Sequence, residues 1–208
     1  PQIEYMEIIP SIISTSYQGK GPEVSSGTEK KLLDKIKRLP QQGLPLENTS
    51  FDWLLQPSRS KAGIYATPDG KSILLSNGMV ARMFRVLPNL STLDIFNRMT
   101  GESMLRAVSS EGSLTIDGKR WELGGLAGQP ERGYFQMEWV EQMTTRSGSF
   151  LIEDFRIEEL QEDIKWARSR WALNKNVPTG KRLTFVLKGE KETEGVTVEL
   201  HYDLYDHI

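Results

Sequence analysis

The chain contains no cysteine. Disulfides and thiolate metal sites are therefore excluded, while the redox state of its compartment stays open. It also has no run of about 18 apolar residues, so the sequence predicts no transmembrane helix. The chain also has no large excess of positive or negative charge, because its formal net charge is −2. This balance argues against nucleic acid or an anionic membrane as the main partner, since both attract strongly basic surfaces.

Histidine is scarce, with His201 and His207 as the two histidines of the chain. A zinc site takes three or four nitrogen or sulfur ligands, so the sequence offers poor material for one. General acid–base catalysis of the mutarotase type uses histidine with a carboxylate, and it has few candidates here. His201 alternates with Leu200 and Tyr202 and is opposite to them in phase, which predicts a solvent-facing or hydrogen-bonded strand residue. We expect no metal and no cofactor.

The 208 residues, of which 38% are hydrophobic, suffice for one large all-β domain or two small ones. A chain of this length buries roughly 70% of the surface that its unfolded form exposes. It begins at Pro1 and ends at Ile208, directly after a strand-like run. Natural termini usually end in polar residues, so we expect a piece of a longer protein. A signal peptide before Pro1 would make that protein secreted or periplasmic rather than cytoplasmic.

A helix is predicted at about residues 28–39. Thr28 is a suitable N-cap, an apolar face follows at helical spacing, and Pro40 ends the segment. Residues 1–59 are therefore interpreted as an N-terminal extension that carries this helix. The segment 158–173, EELQEDIKWARSRWAL, also has helical propensity. An irregular connection with two tryptophans is the competing interpretation of that segment.

From about residue 60 onward, short apolar runs alternate with turn signals at the spacing of antiparallel sandwiches and barrels. Leu183, Phe185 and Leu187 show the clearest alternation, which predicts one buried and one wet face. The Asn77-Gly78 pair predicts a type I′ hairpin with positive φ at both residues. The predicted fold is mainly β, an antiparallel β-sandwich over residues 60–208 with one or two short helices.

Candidate sites in this domain are few. The glycine-rich run at 124–128 lacks the Lys-Ser/Thr ending of a phosphate loop, so it is interpreted as a turn at a strand end. Acidic residues are concentrated in segment 153–163. Two interpretations of them are open, a catalytic carboxylate pair and an ordinary solvated face. Of five tryptophans, Trp121 and Trp139 lie in strand-like runs typical of core positions. Trp166 and Trp171 lie among basic residues, and we predict them as carbohydrate contacts.

Several phrases follow one another in a recognisable order: LLSNGMVARMFRV, NRMTGESMLR, LTIDGKRWELGGL, VPTGKRLTFVL and VTVELHYDLYD. This series resembles the N-terminal β-supersandwich domain of α-galactosidase-like glycoside hydrolases, the family-thirty-six group and its relatives. The resemblance covers about residues 60–208. The matching residues are Asn77, Gly78, Arg82, Asn97, Thr100, Gly101, Asp117, Gly118, Gly124, Gly125, Pro178, Gly180, Lys181, His201, Tyr202, Tyr205 and Asp206.

The resemblance implies a non-catalytic module. In such enzymes the catalytic aspartates belong to a separate (β/α)₈ barrel, and a barrel needs about 250 residues. No catalytic residue is therefore predicted in this chain, and the expected partner is a barrel domain of the same parent protein. A stand-alone carbohydrate-binding module is the first alternative, and a small mutarotase-like sugar enzyme is the second. Carbohydrate and a second copy of the chain remain open as partners.

Overall fold

The computed structural model of the chain describes residues 3–7, 22–44, 46–47, 61–161 and 179–206. Within these ranges one α-helix, α1 (Ser26–Lys37), accompanies thirteen strands. The strands are β1 (Ile3–Glu7), β2 (Gly63–Ala66), β3 (Ser72–Ser76), β4 (Val80–Arg85), β5 (Ser91–Asn97), β6 (Glu102–Ser103), β7 (Gly112–Ile116), β8 (Lys119–Leu123), β9 (Leu126–Ala127), β10 (Thr144–Thr145), β11 (Ser149–Glu159), β12 (Gly180–Lys188) and β13 (Thr197–Tyr205). Two 3₁₀ turns, Met137–Gln142 and Lys191–Thr193, complete the elements.

Helix α1 confirms the predicted helix, with a shifted start. Ser25 is the N-cap, because its Oγ accepts a hydrogen bond of 3.2 Å from the N–H of Thr28. Thr28 therefore lies in the first turn and not at the cap. Leu32 and Ile36 are fully buried on the apolar face. Within the described ranges, no helix is long and apolar enough to cross a membrane.

The strands form two large sheets and one small one. The first sheet has six strands in the order β1-β7-β8-β11-β12-β13, and the second has five in the order β2-β3-β4-β5-β6. Strands β9 and β10 make a separate pair. The ladders are antiparallel except where β11 runs parallel to β8, with Ser149 opposite Glu122. The long β11-β12-β13 ribbon is a meander in which Phe155 faces Phe185, and Phe185 faces Leu200.

The main core lies between the two large sheets. Leu183, Phe185 and Leu187 of β12 are fully buried, as their alternation predicts. They pack against Phe84 and its neighbours on the five-stranded sheet, with Phe84 and Phe185 rings 5.1 Å apart. The two sheets thus bury one face each against a shared apolar layer, which confirms the predicted mainly-β, sandwich-like fold.

The outer face of the five-stranded sheet is also covered. A second apolar cluster includes Leu74, Met83 and Leu93 from the sheet and Val140 and Met143 from the chain after β9. Every residue of β3 is consequently buried. The reason is that the chain between β6 and β11 crosses this face, an arrangement that the alternation of a single strand does not encode.

Two further predictions are the helix at 158–173 and the domain boundary near residue 60. The first two residues of segment 158–173, Glu158 and Glu159, belong to β11 rather than to a helix, and residues 162–173 lie outside the described residues. The boundary near residue 60 stays a prediction. Segments on both sides of it meet in the structure, because β1 pairs with β7 and α1 packs into the sandwich core.

Candidate functional site

The Asn77-Gly78 loop joins β3 to β4 with a backbone that differs from the predicted type I′ turn. Positive φ occurs at Gly78, at 86°, and not at Asn77. Asn77 is buried, and its Oδ1 accepts hydrogen bonds of 3.1 Å from the N–H groups of Met79 and Val80. Its Nδ2 donates to the carbonyl of Tyr205 at 3.0 Å. The side-chain amide therefore fixes this loop, and the prediction of positive φ at Asn77 was wrong.

The type I′ geometry is found at the Asp117-Gly118 pair instead. Both residues have positive φ, 50° and 73°, between the facing residues Ile116 and Lys119 of β7 and β8. Two positive φ values in a two-residue hairpin loop define this turn type. Asp and Gly tolerate that region, so the local sequence is sufficient here without help from the rest of the fold.

Other residues that carry the resemblance also bind backbone. Asn97 Oδ1 accepts a hydrogen bond of 3.0 Å from the N–H of Met99 at the turn after β5. The carboxylate of Asp206 accepts one of 2.7 Å from the N–H of Ala62 and another of 2.7 Å from Thr179 Oγ1. Gly124 and Gly125 form the turn at the end of β8, as interpreted, whereas Leu126–Ala127 within the glycine-rich run form strand β9. These residues hold loops in place.

A group of polar side chains lies between the two large sheets, and we name it the Glu111 network: Arg82, Thr92, Glu111 and Tyr202. The Glu111 side chain is only 2% exposed. Its Oε2 accepts hydrogen bonds from Tyr202 Oη at 2.5 Å, Arg82 Nη2 at 2.8 Å and Thr92 Oγ1 at 3.0 Å. Its Oε1 accepts the N–H of Thr92. A buried carboxylate is thus held by four donors from three separate parts of the chain.

Arg82 is held on its other side by aromatic rings. Its guanidinium lies 4.6 Å from the ring centre of Tyr202 and 5.0 Å from that of Phe84. Burial raises the pKa of Tyr202, the nearby negative charge of Glu111 raises it further, and Arg82 offsets this only partly. Tyr202 therefore stays protonated and acts as a hydrogen-bond donor. The carboxylate of Glu111 is thus fully engaged by its ion pair and hydrogen bonds, and the network offers no free base or nucleophile.

Sequence reasoning singled out Arg82 and Tyr202 but missed Glu111 and Thr92. Arg82 alternates in phase with Phe84, so a charged side chain lies on an apolar, inward face. Such a charge needs a buried counterion, and this was the signal for a partner carboxylate. Nothing local identifies Glu111 as that partner, since it lies in a polar loop 29 residues away.

His201 lies on the exposed side of β13, as predicted, and is hydrogen bonded. Its Nδ1 is 2.8 Å from Thr184 Oγ1, and its Nε2 is 3.8 Å from Glu199 Oε2. A hydroxyl, an imidazole and a carboxylate in series resemble the parts of a nucleophilic triad. However, Thr184 is fully buried, and Glu199 is held at 2.7 Å by Arg156. No substrate atom can reach the hydroxyl, so this geometry does not support catalysis.

The predictions for the individual tryptophans have different outcomes. Trp166 and Trp171 lie outside the described residues, so their assignment as carbohydrate contacts stays a prediction. Trp121 packs against the main core from β8, as expected. Trp139 lies in a 3₁₀ turn instead of a strand and pairs with the exposed Tyr134 at 5.4 Å between ring centres. Its prediction as a core strand residue was therefore wrong.

The acidic segment before residue 162 belongs to ion pairs and exposed surface. Asp154 accepts hydrogen bonds from Lys35 at 2.6 Å and from Lys31 at 3.1 Å, which ties β11 to α1. Burial acts to raise the pKa of Asp154, but the bonds from both lysines lower it overall. Glu158 and Glu159 are exposed on the same strand. In the part of the chain that the structure describes, no three histidine or acidic residues are grouped as metal ligands.

No family model, curated protein or solved structure matches the chain.

Proposed function

We propose that the chain is a non-catalytic β-sandwich module of an α-galactosidase-like glycoside hydrolase. In this proposal it supports a catalytic barrel that belongs to the parent protein. The module contributes a rigid body to that enzyme and no reacting group of its own. The carbohydrate specificity then resides in the barrel.

One observation carries the proposal. The motif segments that resemble the hydrolase domain are far apart in sequence, yet they contact one another. Asn77 binds the backbone of Tyr205, which lies 128 residues later. Arg82 stacks on Tyr202. Motif residues that contact one another across long distances in the sequence support the interpretation of a shared structural framework.

The chemistry of the described polar groups supports the non-catalytic part of the proposal. Glu111 has four protein donors, so its lone pairs are engaged. His201 and Glu199 are held by neighbours on the exposed sheet face. Hydrolysis of a glycoside uses two carboxyl groups that are free to act on a sugar between them. On the strands and in the core, Glu111 and Glu199 are instead paired with arginine, and Asp154 and Glu159 with lysine.

The test is an assay with p-nitrophenyl α-galactoside. The chain of residues 1–208 is expected to release no nitrophenol above the buffer rate, while the protein encoded by the whole reading frame releases it. In that larger protein, Tyr202→Phe should leave kcat and KM unchanged at 20 °C and shorten the half-life at elevated temperature. Hydrolysis by the 208-residue chain itself, or no glycosidase activity in the whole product, contradicts the proposal.

A stand-alone carbohydrate-binding module is the alternative outcome. Calorimetry of the chain with galactosides and other oligosaccharides separates the two. Binding that disappears on Trp166→Ala or Trp171→Ala, in a protein with no catalytic partner, would replace the scaffold proposal.

A further inference from the structure

An apolar groove of about 530 Å³ lies on the outer face of the five-stranded sheet. Its floor is formed by side chains of β3, β4 and β5, among them Leu74, Met83 and Phe96. One wall is the start of the first 3₁₀ turn, at Met137 and Glu138. Leu44 and Leu46 also line the groove. We name this feature the outer groove.

Among the described residues, side chains of the second apolar cluster and its neighbours reach solvent at the outer groove. Elsewhere on this face Leu126, Val140 and Met143 cover the sheet and are buried. At the groove the rim side chains reach solvent, with Leu44 45% and Met137 40% exposed. Exposed apolar side chains around a concave apolar floor are typical of interaction sites. Methionine side chains adapt readily to different apolar partners.

Charge in the outer groove has one sign. The ionisable residues that line it, among those described, are Asp94 and Glu138, both carboxylates. Asp94 Oδ1 accepts a hydrogen bond of 2.5 Å from Ser103 Oγ. Burial raises the pKa of Asp94, and the hydrogen bonds from Ser103 and the backbone of Ile95 offset this only in part. A cation beside Asp94 would stabilise the carboxylate, whereas an anion or a purely apolar group would not.

We propose that the outer groove docks a partner protein through a lysine or arginine flanked by apolar side chains. The basic head pairs with Asp94, while its aliphatic stem and the apolar neighbours cover Met83, Phe96 and Met137. Long basic side chains combine an apolar stem with a charged end, which matches an apolar floor with a carboxylate. Glu138 at the exposed rim adds attraction for the same charge. This inference is independent of the proposed glycoside hydrolase context.

The test uses three capped peptides and the 208-residue chain with ¹³C-labelled methionine methyl groups. The peptides are acetyl-Leu-Lys-Leu-amide, its norleucine analogue, which is uncharged, and its glutamate analogue. NMR titration should move the Met83 and Met137 methyl signals and leave the buried Met143 signal unchanged. The lysine peptide should bind at least about tenfold more tightly than the norleucine peptide, a difference of about 1.4 kcal/mol. The glutamate peptide should bind most weakly.

Asp94→Asn provides the matched variant, since an asparagine oxygen can still accept the Ser103 hydrogen bond. It should remove the advantage of the lysine peptide and leave the affinity for the norleucine peptide unchanged. Glu190→Gln makes the same change of charge at an exposed site outside the groove and should change neither affinity. An unaltered amide spectrum outside the groove verifies that both variants are folded.

Three results would overturn the inference. The first is equal affinity for the lysine and norleucine peptides, and the second is an Asp94→Asn variant that keeps the lysine preference. The third is the absence of shifts at Met83 and Met137 with every peptide, as expected if the groove is filled in solution. Hexylammonium serves as a further probe: if it binds as tightly as the lysine peptide, the groove is a site for small amines and not for a protein.

Discussion

Tyr202 on the edge strand β13 donates a 2.5 Å hydrogen bond to Glu111, a nearly buried carboxylate in the loop before β7. Arg82 of the opposite sheet completes the contact with its own bond to Glu111. The ion pair thus joins both sheets of the sandwich at one point. Because each group depends on the others for its hydrogen bonds, loss of one leaves a buried polar group without compensation.

Tyr202→Phe is expected to lower the free energy of unfolding by about 1–2 kcal/mol. The phenyl ring keeps its contact with Phe84, so the loss of stability measures the contribution of the hydroxyl and its hydrogen bond to Glu111. Urea unfolding followed by tryptophan fluorescence measures it. Tyr205→Phe is the control, because Tyr205 is 39% exposed on the same strand and should change stability by less than about 0.5 kcal/mol. Equal effects of the two substitutions would contradict the structural role of the network.

Glu111→Gln is expected to cost more, about 3 kcal/mol, because it leaves the Arg82 charge without its counterion. A double-mutant cycle with Tyr202→Phe should show non-additive losses, since the hydroxyl and the carboxylate that the two substitutions change are partners in one hydrogen bond. The same urea experiment supplies all four free energies. Strict additivity would show that the two residues act separately.

Substitutions at Asn77 distinguish the amide role from the conformational role. If positive φ were the requirement, Asn77→Gly would be tolerated, since glycine adopts it most easily. The hydrogen bonds of Asn77 predict the opposite: glycine and valine should both destabilise the chain by about 2–3 kcal/mol. Asn77→Asp keeps the acceptor and loses the donor to Tyr205, so its loss should be intermediate. Thermal unfolding of the three variants ranks them, and a wild-type melting temperature for Asn77→Gly would contradict this account.

The pH dependence of stability should show the contribution of Asp154 to the free energy of unfolding. Its lysine partners lower its pKa in the folded state. A carboxyl with a lowered folded pKa stabilises the protein above its ordinary pKa, near 3.8, and loses this effect as the pH falls through the folded value. Asp154→Asn should therefore be less stable than wild type at pH 7, and the two should converge under strongly acidic conditions. A stability difference that does not change with pH would exclude this linkage.

Asp94 should behave in the opposite way, because burial raises its pKa. A raised folded pKa favours the protonated form, so the contribution is fully present at low pH and is lost as the pH rises through the folded value. Asp94→Asn is expected to be slightly more stable than wild type at pH 7, by less than about 1 kcal/mol, and equal to it in acid. The same acid series, followed by circular dichroism, checks this. A destabilised Asp94→Asn at pH 7 would show that the carboxylate has a charged partner in the folded chain.

Local sequence determined the parts of this fold that need no distant partner. The apolar spacing of Leu32 and Ile36 identified α1, and the alternation of Leu183, Phe185 and Leu187 identified β12. The Asp-Gly pair is enough for the turn at 117–118. In each case the residues that decide the structure lie within a few positions of one another, so pattern and propensity agree with the result.

The errors share a different physical origin. The Nδ2 hydrogen bond of Asn77 depends on Tyr205, the ion pair of Glu111 depends on Arg82, and the covered face of β3 depends on a later crossing segment. Each of these depends on residues that are remote in sequence, and a short window contains no information about them. The Ser25 cap is the exception, because serine and threonine are both good caps and only the three-dimensional contact with the Thr28 N–H decides between them.

The central claim, that this sandwich supports a separate catalytic barrel, is tested most directly by sequencing the reading frame beyond Ile208. We predict a following region of about 250 residues that alternates strands and helices and carries two catalytic carboxylates, the extent of a (β/α)₈ barrel. A reading frame that stops at Ile208, or that continues into a region without this alternation, would contradict the claim.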